Sequence, residues 1–132
     1  MKNLVALIAL SVMVQVGKAQ VLDYHQINVD TAQAVQVKRL AGDDKVSSFA
    51  IVVNDSVQAH FHQYHSEHVY VLEGGGLMRL GDQRFEVKAG DFIFIPQGVI
   101  HAVKAHKGQA LKVLSIQAPA FDGSDRVTVP QK

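Results

Sequence analysis

The chain has 132 residues, a length that suits one domain with a substantial buried core. It contains no cysteine, which excludes disulfides, thiol catalysis, zinc ribbons, iron–sulfur clusters and a lipid anchor on an N-terminal cysteine. Its 13 basic and 12 acidic residues include no long basic run. This balance argues against a nucleic-acid partner and against an anionic membrane surface.

The N-terminal segment has the pattern of a signal peptide. A lysine in residues 1–3 is followed by an apolar run over 4–16 and by a small-x-small site that ends at Ala19. The run is shorter than the roughly 20 residues of a transmembrane helix, so we predict cleavage after Ala19; an uncleaved anchor is the alternative. We therefore expect an exported protein, periplasmic or secreted, with no stable membrane anchor. Loss of residues 1–19 leaves 11 basic and 12 acidic residues, a net charge of −1.

The mature chain, residues 20–132, is predicted to be a single domain of short β-strands. After a lead-in over 21–30, runs rich in β-branched and aromatic residues alternate with turn signals such as those at 81–83 and 88–91. The predicted strands cover residues 34–40, 47–53, 58–62, 68–72, 77–80, 84–87, 91–95, 101–104 and 111–117. This pattern predicts an all-β sandwich or barrel. The tail, 118–132, is less regular before a last short strand at 127–129, and it either packs across the barrel mouth or mediates self-association.

Two stretches supply candidate metal ligands. His60 and His62 lie two residues apart in a predicted strand, so their side chains share one face, roughly 6.6 Å apart. Glu67 follows a short turn, and its carboxylate can approach these imidazoles if the two strands pair antiparallel. His101 follows a second turn, in which Pro96 fixes φ and Gly98 permits a positive φ.

The candidate donor set determines which ions would suit it. Three imidazoles and one carboxylate fit one divalent transition metal (Fe, Mn, Ni, Cu or Zn) and do not fit Ca²⁺ or a thiolate-loving ion. The alternative is a histidine cluster without fixed geometry. His65 lies in the predicted turn and His68 has the opposite strand parity to Glu67, so a surface or supporting role suits both better than ligation. His25 and His106 are expected to be solvated.

These two stretches resemble the two motifs of the cupin superfamily. Residues 60–74 are similar to the first motif, G-x5-H-x-H-x3-4-E-x6-G, with Asn54 at its leading glycine. Residues 90–105 are similar to the second, G-x5-P-x-G-x2-H-x3-N, with Ala105 at its closing asparagine. Asn54 is a mild departure, because asparagine tolerates left-handed backbone angles. The resemblance covers about residues 35–117 and implies a double-stranded β-helix, or jelly-roll barrel, with His60, His62, Glu67 and His101 as the metal ligands.

The pocket around such a site is expected to be small and apolar. Strand parity predicts walls formed by Val69, Val71 and Val103, with contributions from Met78 and from Phe92 or Phe94. Tyr64, Tyr70 and Arg79 are candidates for acid or orienting roles, although surface or packing roles explain most such residues and are favoured here. Lys38 and Arg39 are an isolated basic pair, which we predict to lie on a solvated strand edge and not in a binding patch.

Three functional hypotheses follow. The first is an exported metal-dependent enzyme acting on a small oxygen-rich organic molecule, for which the resemblance implies a dioxygenase, isomerase or decarboxylase. The second is a non-catalytic binder of a sugar-like or small acidic ligand. The third is a module in which the metal is structural. The resemblance also implies a possible homodimer.

Overall fold

The computed structural model describes residues 19–130, which form ten β-strands and one turn of 3-10 helix at Tyr24–Gln26. In chain order the strands are β1 (Val35–Gly42), β2 (Ser47–Val53), β3 (Ser56–His62), β4 (Ser66–Glu73), β5 (Gly75–Leu80), β6 (Gln83–Lys88), β7 (Phe92–Ile95), β8 (His101–Ala105), β9 (Leu111–Ala118) and β10 (Arg126–Thr128). The predicted all-β class is confirmed. Within 19–130, no helix has the length and apolar character needed to cross a membrane. The predicted signal peptide lies outside the described residues except for Ala19.

The strands form two antiparallel five-stranded sheets, the arrangement predicted as a jelly roll. One sheet has the order β1-β2-β9-β4-β7 and the other β10-β3-β8-β5-β6. The first is called sheet A and the second sheet B below. Consecutive strands β3 and β4 belong to different sheets, so the chain passes from sheet B to sheet A over Gln63–His65. That corner places Glu67 on the sheet opposite His60 and His62.

The core lies between the two sheets, as the alternating sequence pattern requires. On β4, Val69 and Val71 are buried while His68 and Tyr70 are exposed. Sheet B contributes Met78 and other apolar side chains to the same buried cluster. Full burial of each such valine or methionine stabilises the fold by about 1.5–3 kcal/mol. Strand parity therefore determines which side chains line the interior.

The inward-facing side of β7 was predicted incorrectly. Phe92 or Phe94 was predicted to contribute to the pocket walls, but both are outside it: they are 61% and 48% exposed and pack beside His68 on the outer face of sheet A. Ile93 and Ile95 face inward instead. All four residues of this strand are apolar, so periodicity could not choose a face. The pairing with β4 decides it, because Ile93 is opposite the inward-facing Val69.

The tail lies against the barrel. β10 pairs antiparallel with β3, with Arg126 opposite His62. Phe121 and Arg126 both line the interior cavity, which agrees with the first of the two alternatives for the tail, packing across the barrel mouth. The predicted last strand is shifted by one residue.

Asn54 does not use the left-handed conformation that asparagine tolerates. Among the described residues, positive φ angles occur at glycines. The Asn54 amide instead donates to the carbonyls of Asp30 and Gln33, at 2.9 and 2.7 Å. A side-chain bond to the lead-in segment thus explains an asparagine at this turn.

Candidate metal centre

The four predicted ligands converge on the interior cavity. His60 and His62 project from β3, and His101 projects from the adjacent β8, where it is opposite His60 in the register. Each imidazole offers a nitrogen within 4.8 Å of the other two. All four side chains line the cavity, and each residue is no more than 6% exposed. The spacing of the motifs therefore corresponds to one buried cluster.

Glu67 approaches this cluster from the opposite sheet. The condition named from the sequence, antiparallel pairing of its strand with that of the two histidines, is not met, because β3 pairs with β8 and β10 and β4 pairs with β7 and β9. Across the interior, Glu67 Oε2 lies 3.6 Å from His62 Nε2 and 3.5 Å from His101 Nε2. A carboxylate from one sheet and three imidazoles from the other thus enclose one point between the layers.

Backbone carbonyls orient two of the imidazoles. His60 Nδ1 lies 2.8 Å from the Gln58 carbonyl and His101 Nδ1 lies 3.0 Å from that of Val99. A carbonyl can only accept, so Nδ1 donates in both residues, and in the neutral imidazole Nε2 then keeps its lone pair. His101 Nε2 is buried and has no hydrogen-bond partner among residues 19–130. This arrangement is typical of histidines that ligate metals, whose second ring nitrogen is tied to an acceptor.

Glu67 is held by two β9 side chains that sequence reasoning missed. The Ser115 hydroxyl donates to Oε1, and Gln117 Nε2 donates to the same oxygen at 3.4 Å. Oε1 is therefore tied to β9, while Oε2 faces the imidazoles. The alternation of the strand could have indicated them. Ser115 and Gln117 continue the inward-facing positions of Leu111 and Val113, and buried polar side chains need a hydrogen-bond partner.

The electrostatics of the cluster favour metal ligation. Burial alone raises the pKa of Glu67, but contacts with His101, His62 and Ser115 outweigh it and hold that pKa below its ordinary value. Burial, followed by the nearby His101, lowers the pKa of His60 to about 4. At neutral pH the carboxylate is thus ionised and His60 is neutral. These are the protonation states in which both groups bind metals.

The remaining histidines divide into one buried and three exposed. His65 was predicted to have a surface or supporting role, and the surface alternative is wrong: it is 3% exposed, and its Nδ1 lies 2.8 Å from Asp125 Oδ2. The tail that carries Asp125 covers the turn, and no sequence pattern pointed to this residue. As predicted, His25, His68 and His106 are exposed.

The cavity has a volume of about 550 Å³, within the usual range for small-molecule sites. Its walls include the predicted Val69, Val71, Met78 and Val103. Further polar groups in the lining are Ser56, Gln58, Gln117 and Arg126. The cavity is thus mostly apolar with the ligand cluster inside it.

The three residues considered for acid or orienting roles lie outside the cavity lining. Tyr64 and Tyr70 are 66% and 43% exposed, and neither lines the cavity. Arg79 is also outside the lining, and its Nε donates to the Gly81 carbonyl at 2.9 Å. A role for these residues inside the cavity is therefore not supported.

Comparison with known proteins agrees with this description. A family model described as "Cupin domain" matches residues 48–117, more than half of the chain. An uncharacterised protein of Aquifex aeolicus is 29% identical over 99 residues, which covers 75% of this chain and 81% of that protein. The quercetin 2,3-dioxygenase of Bacillus subtilis is 34% identical over 50 residues, covering 38% of this chain and 15% of the enzyme. The chain thus spans only a small part of that dioxygenase.

A solved structure has the same fold. A variant of the Streptomyces protein Pac13, determined with uridine, superposes with a TM-score of 0.64 at 22% identity. The match covers 74% of this chain and 79% of Pac13. Pac13 is described as a nucleoside dehydratase with a β-barrel structure. At this identity the similarity establishes a common fold.

Proposed function

Because the chain belongs to the Cupin domain family, we propose that it is an exported metal-dependent enzyme acting on a small oxygen-rich organic molecule. One divalent transition metal would be held by His60, His62, Glu67 and His101. The observation that carries this proposal is the convergence of four buried donors in an apolar cavity of about 550 Å³. Three imidazoles and one carboxylate suit Fe, Mn, Ni, Cu or Zn.

The donor set leaves room for a substrate. Four protein ligands on a six-coordinate ion leave two positions for exogenous oxygen donors, whereas a tetrahedral ion would be closed. When bound, such an ion supplies Lewis acidity towards a substrate oxygen or activation of dioxygen. A mostly apolar cavity with few polar groups favours a small organic ligand.

The chain's own residues would bind and orient that ligand. The valines and Met78 of the wall exclude water from the reacting centre, which strengthens electrostatic interactions there. Arg126 is exposed yet lines the cavity, so its guanidinium can contact a carboxylate or hydroxyl group at the entrance. Similarity to a dioxygenase and to the fold of a nucleoside dehydratase supports chemistry on oxygen-rich molecules.

A second candidate is a non-catalytic metal-dependent binder. In the described part of the chain, Glu67 is the one carboxylate in the cavity lining, and Ser115 already donates to it. The other polar lining residues outside the ligand set are Ser56, two glutamines and Arg126. None of these is a ready general acid or base at neutral pH. This feature favours a site that recognises a ligand without converting it.

Metal-dependent turnover separates the two candidates. We expect metal-loaded protein, incubated with a panel of enols, diols and sugar acids, to form product, and we expect His62→Ala to lose all turnover. The control is His106→Ala, because His106 is exposed and outside the cavity. Mass spectrometry of the reaction mixture is the measurement. Product formed equally by chelated protein would contradict metal dependence. A ligand that raises the melting temperature and is recovered unchanged would identify a binder.

Export is a separate part of the proposal. We expect the exported protein to begin at Gln20, because the apolar run over 4–16 and the small residues before Gln20 have the pattern of a signal peptide. Intact mass measurement of protein recovered outside the cytoplasm tests this. A recovered chain that still carries residues 1–19 would contradict cleavage. The homodimer implied by family resemblance stays a prediction.

A further inference from the structure

We propose that Asp125 is a positioning residue for His62, accepting a hydrogen bond from Nδ1 so that Nε2 is directed at the metal. This inference rests on the metal site of the proposed function. It assigns a role to the C-terminal tail, which lies outside both ligand motifs and outside the matched region, residues 48–117.

His62 differs from the other two imidazoles in how it is held. His60 and His101 each point Nδ1 at the carbonyl two residues earlier, Gln58 and Val99 respectively. His62 Nδ1 is buried and has no hydrogen-bond partner among the described residues. The acceptor facing it is Asp125 Oδ1, at 3.6 Å. That oxygen is also buried and also lacks a partner within residues 19–130.

Both atoms are buried, lack a partner in the described part of the chain and face each other, so a small shift of either side chain is enough to join them in a hydrogen bond. An unsatisfied buried donor or acceptor is costly, and a charge-assisted N–H···O bond has a length of about 2.7–2.9 Å. Closing the gap between His62 Nδ1 and Asp125 Oδ1 therefore requires less than about 1 Å. The bond places the proton on Nδ1. Nε2 faces Glu67 Oε2, also at 3.6 Å, and its lone pair is then available to a metal ion held between these two atoms.

The surrounding contacts fix the Asp125 carboxylate in this orientation. Its Oδ2 accepts from the Tyr64 backbone N–H at 3.0 Å and lies 2.8 Å from His65 Nδ1. Its main-chain carbonyl accepts from Gln63 N at 3.0 Å. One carboxylate oxygen therefore holds the turn between β3 and β4, and the other is left for His62. The buried His65 thus supports His62 indirectly, by holding the Asp125 carboxylate in place.

The substitution Asp125→Asn separates the role of Oδ2 in the turn from the role of Oδ1 towards His62. The new side chain's oxygen can keep the two turn contacts at the Oδ2 position, which leaves an amide NH₂ where Oδ1 faces His62. A donor there favours the opposite His62 tautomer, with the proton on Nε2, and so removes the ligand lone pair. The matched control is Asp122→Asn, because Asp122 is exposed in the same tail and hydrogen-bonds to Ser124.

The first readout is zinc affinity, measured by competition with a chromogenic chelator. We expect Asp125→Asn to bind Zn²⁺ about 10–100-fold more weakly than wild type, the range typical of residues that support metal ligands, and Asp122→Asn to bind as wild type. The metal-free melting temperature of Asp125→Asn should stay close to that of wild type because the turn contacts remain. Equal zinc affinity in Asp125→Asn and wild type would overturn the proposal.

The second readout is the His62 tautomer in metal-free protein. Long-range ¹H–¹⁵N correlation spectra should show the proton on Nδ1 in wild type and on Nε2 in Asp125→Asn, a change that a purely structural role would not produce. Nε2–H in the wild type would overturn the proposal. If wild type takes up no zinc, the metal site of the proposed function fails, while the tautomer still decides the role of Asp125.

His62, His65 and Asp125 also offer ligand atoms within 4.8 Å of one another. Uptake of two zinc ions by wild type, one of them lost in Asp125→Asn, would overturn the positioning role and identify Asp125 as a ligand.

Discussion

Replacing Glu67 by glutamine is expected to weaken binding of a divalent metal by more than about 100-fold, beyond the range of supporting residues. Glutamine has nearly the same shape, so Ser115 can still donate to its oxygen, and no cavity is created. Its amide NH₂ would face His62 Nε2 and His101 Nε2, where Glu67 Oε2 now lies. The variant thus replaces an anionic ligand with a group that donates towards the two lone pairs.

A matched surface substitution isolates the effect of Glu67. Glu86 is an exposed glutamate whose Oε2 lies 2.7 Å from His106 Nε2, so Glu86→Gln removes the same charge beside a histidine outside the cavity. Chelator competition with Zn²⁺ should show wild-type affinity for Glu86→Gln. Similar losses in both variants would mean that overall charge, rather than ligation by Glu67, determines the affinity.

Gly74→Ala is expected to destabilise the fold by about 2–5 kcal/mol. Gly74 has φ +76°, a left-handed conformation that costs an L-residue roughly 1–2 kcal/mol. A Cβ at this position would also overlap the carbonyl oxygen of Ala110, and forced overpacking costs typically another 1–3 kcal/mol. The oxygen belongs to the backbone just before β9, so the strand that carries Ser115 and Gln117 would have to shift.

The control for Gly74 separates backbone strain from overlap. Gly108 has φ +75°, but a Cβ there meets nothing within 4 Å. Gly108→Ala should therefore cost about 1–2 kcal/mol, the left-handed contribution alone. Denaturant unfolding of metal-free protein measures both variants. Equal losses of unfolding free energy would show that the approach to Ala110 has no energetic consequence.

The period-two pattern of the strands predicted the all-β class, and most of the side chains predicted to converge in the cavity do so. His60 and His62 share a face because they are two residues apart, and Val69 and Val71 share the inward face of β4 with Glu67. The turn at Pro96 and Gly98 placed His101 at the start of β8. These features depend on the spacing of residues along the chain, which can be read directly from the sequence.

Contacts between distant segments were not predictable from spacing. Passage of the chain from sheet B to sheet A at 63–65 places Glu67 opposite the imidazoles, whereas the sequence suggested this approach only on the condition that the two strands pair. The register between β4 and β7 turned Phe92 and Phe94 outward. The pairing of β10 with β3 brings Asp125 to the site. Its hydrogen-bond partner His65 lies 60 residues earlier in the chain. Nothing in a polar, irregular tail indicates such a contact.

Elemental analysis of untagged protein tests the central claim most directly. We predict one equivalent of a divalent transition metal per chain in the wild type, recovered from its native compartment, and no metal in Glu67→Gln. Iron, manganese, nickel or copper would support an open centre suited to substrate, and zinc would favour the binding or structural roles. A wild type without metal, or a variant that retains the full equivalent, would contradict a metal site formed by His60, His62, Glu67 and His101.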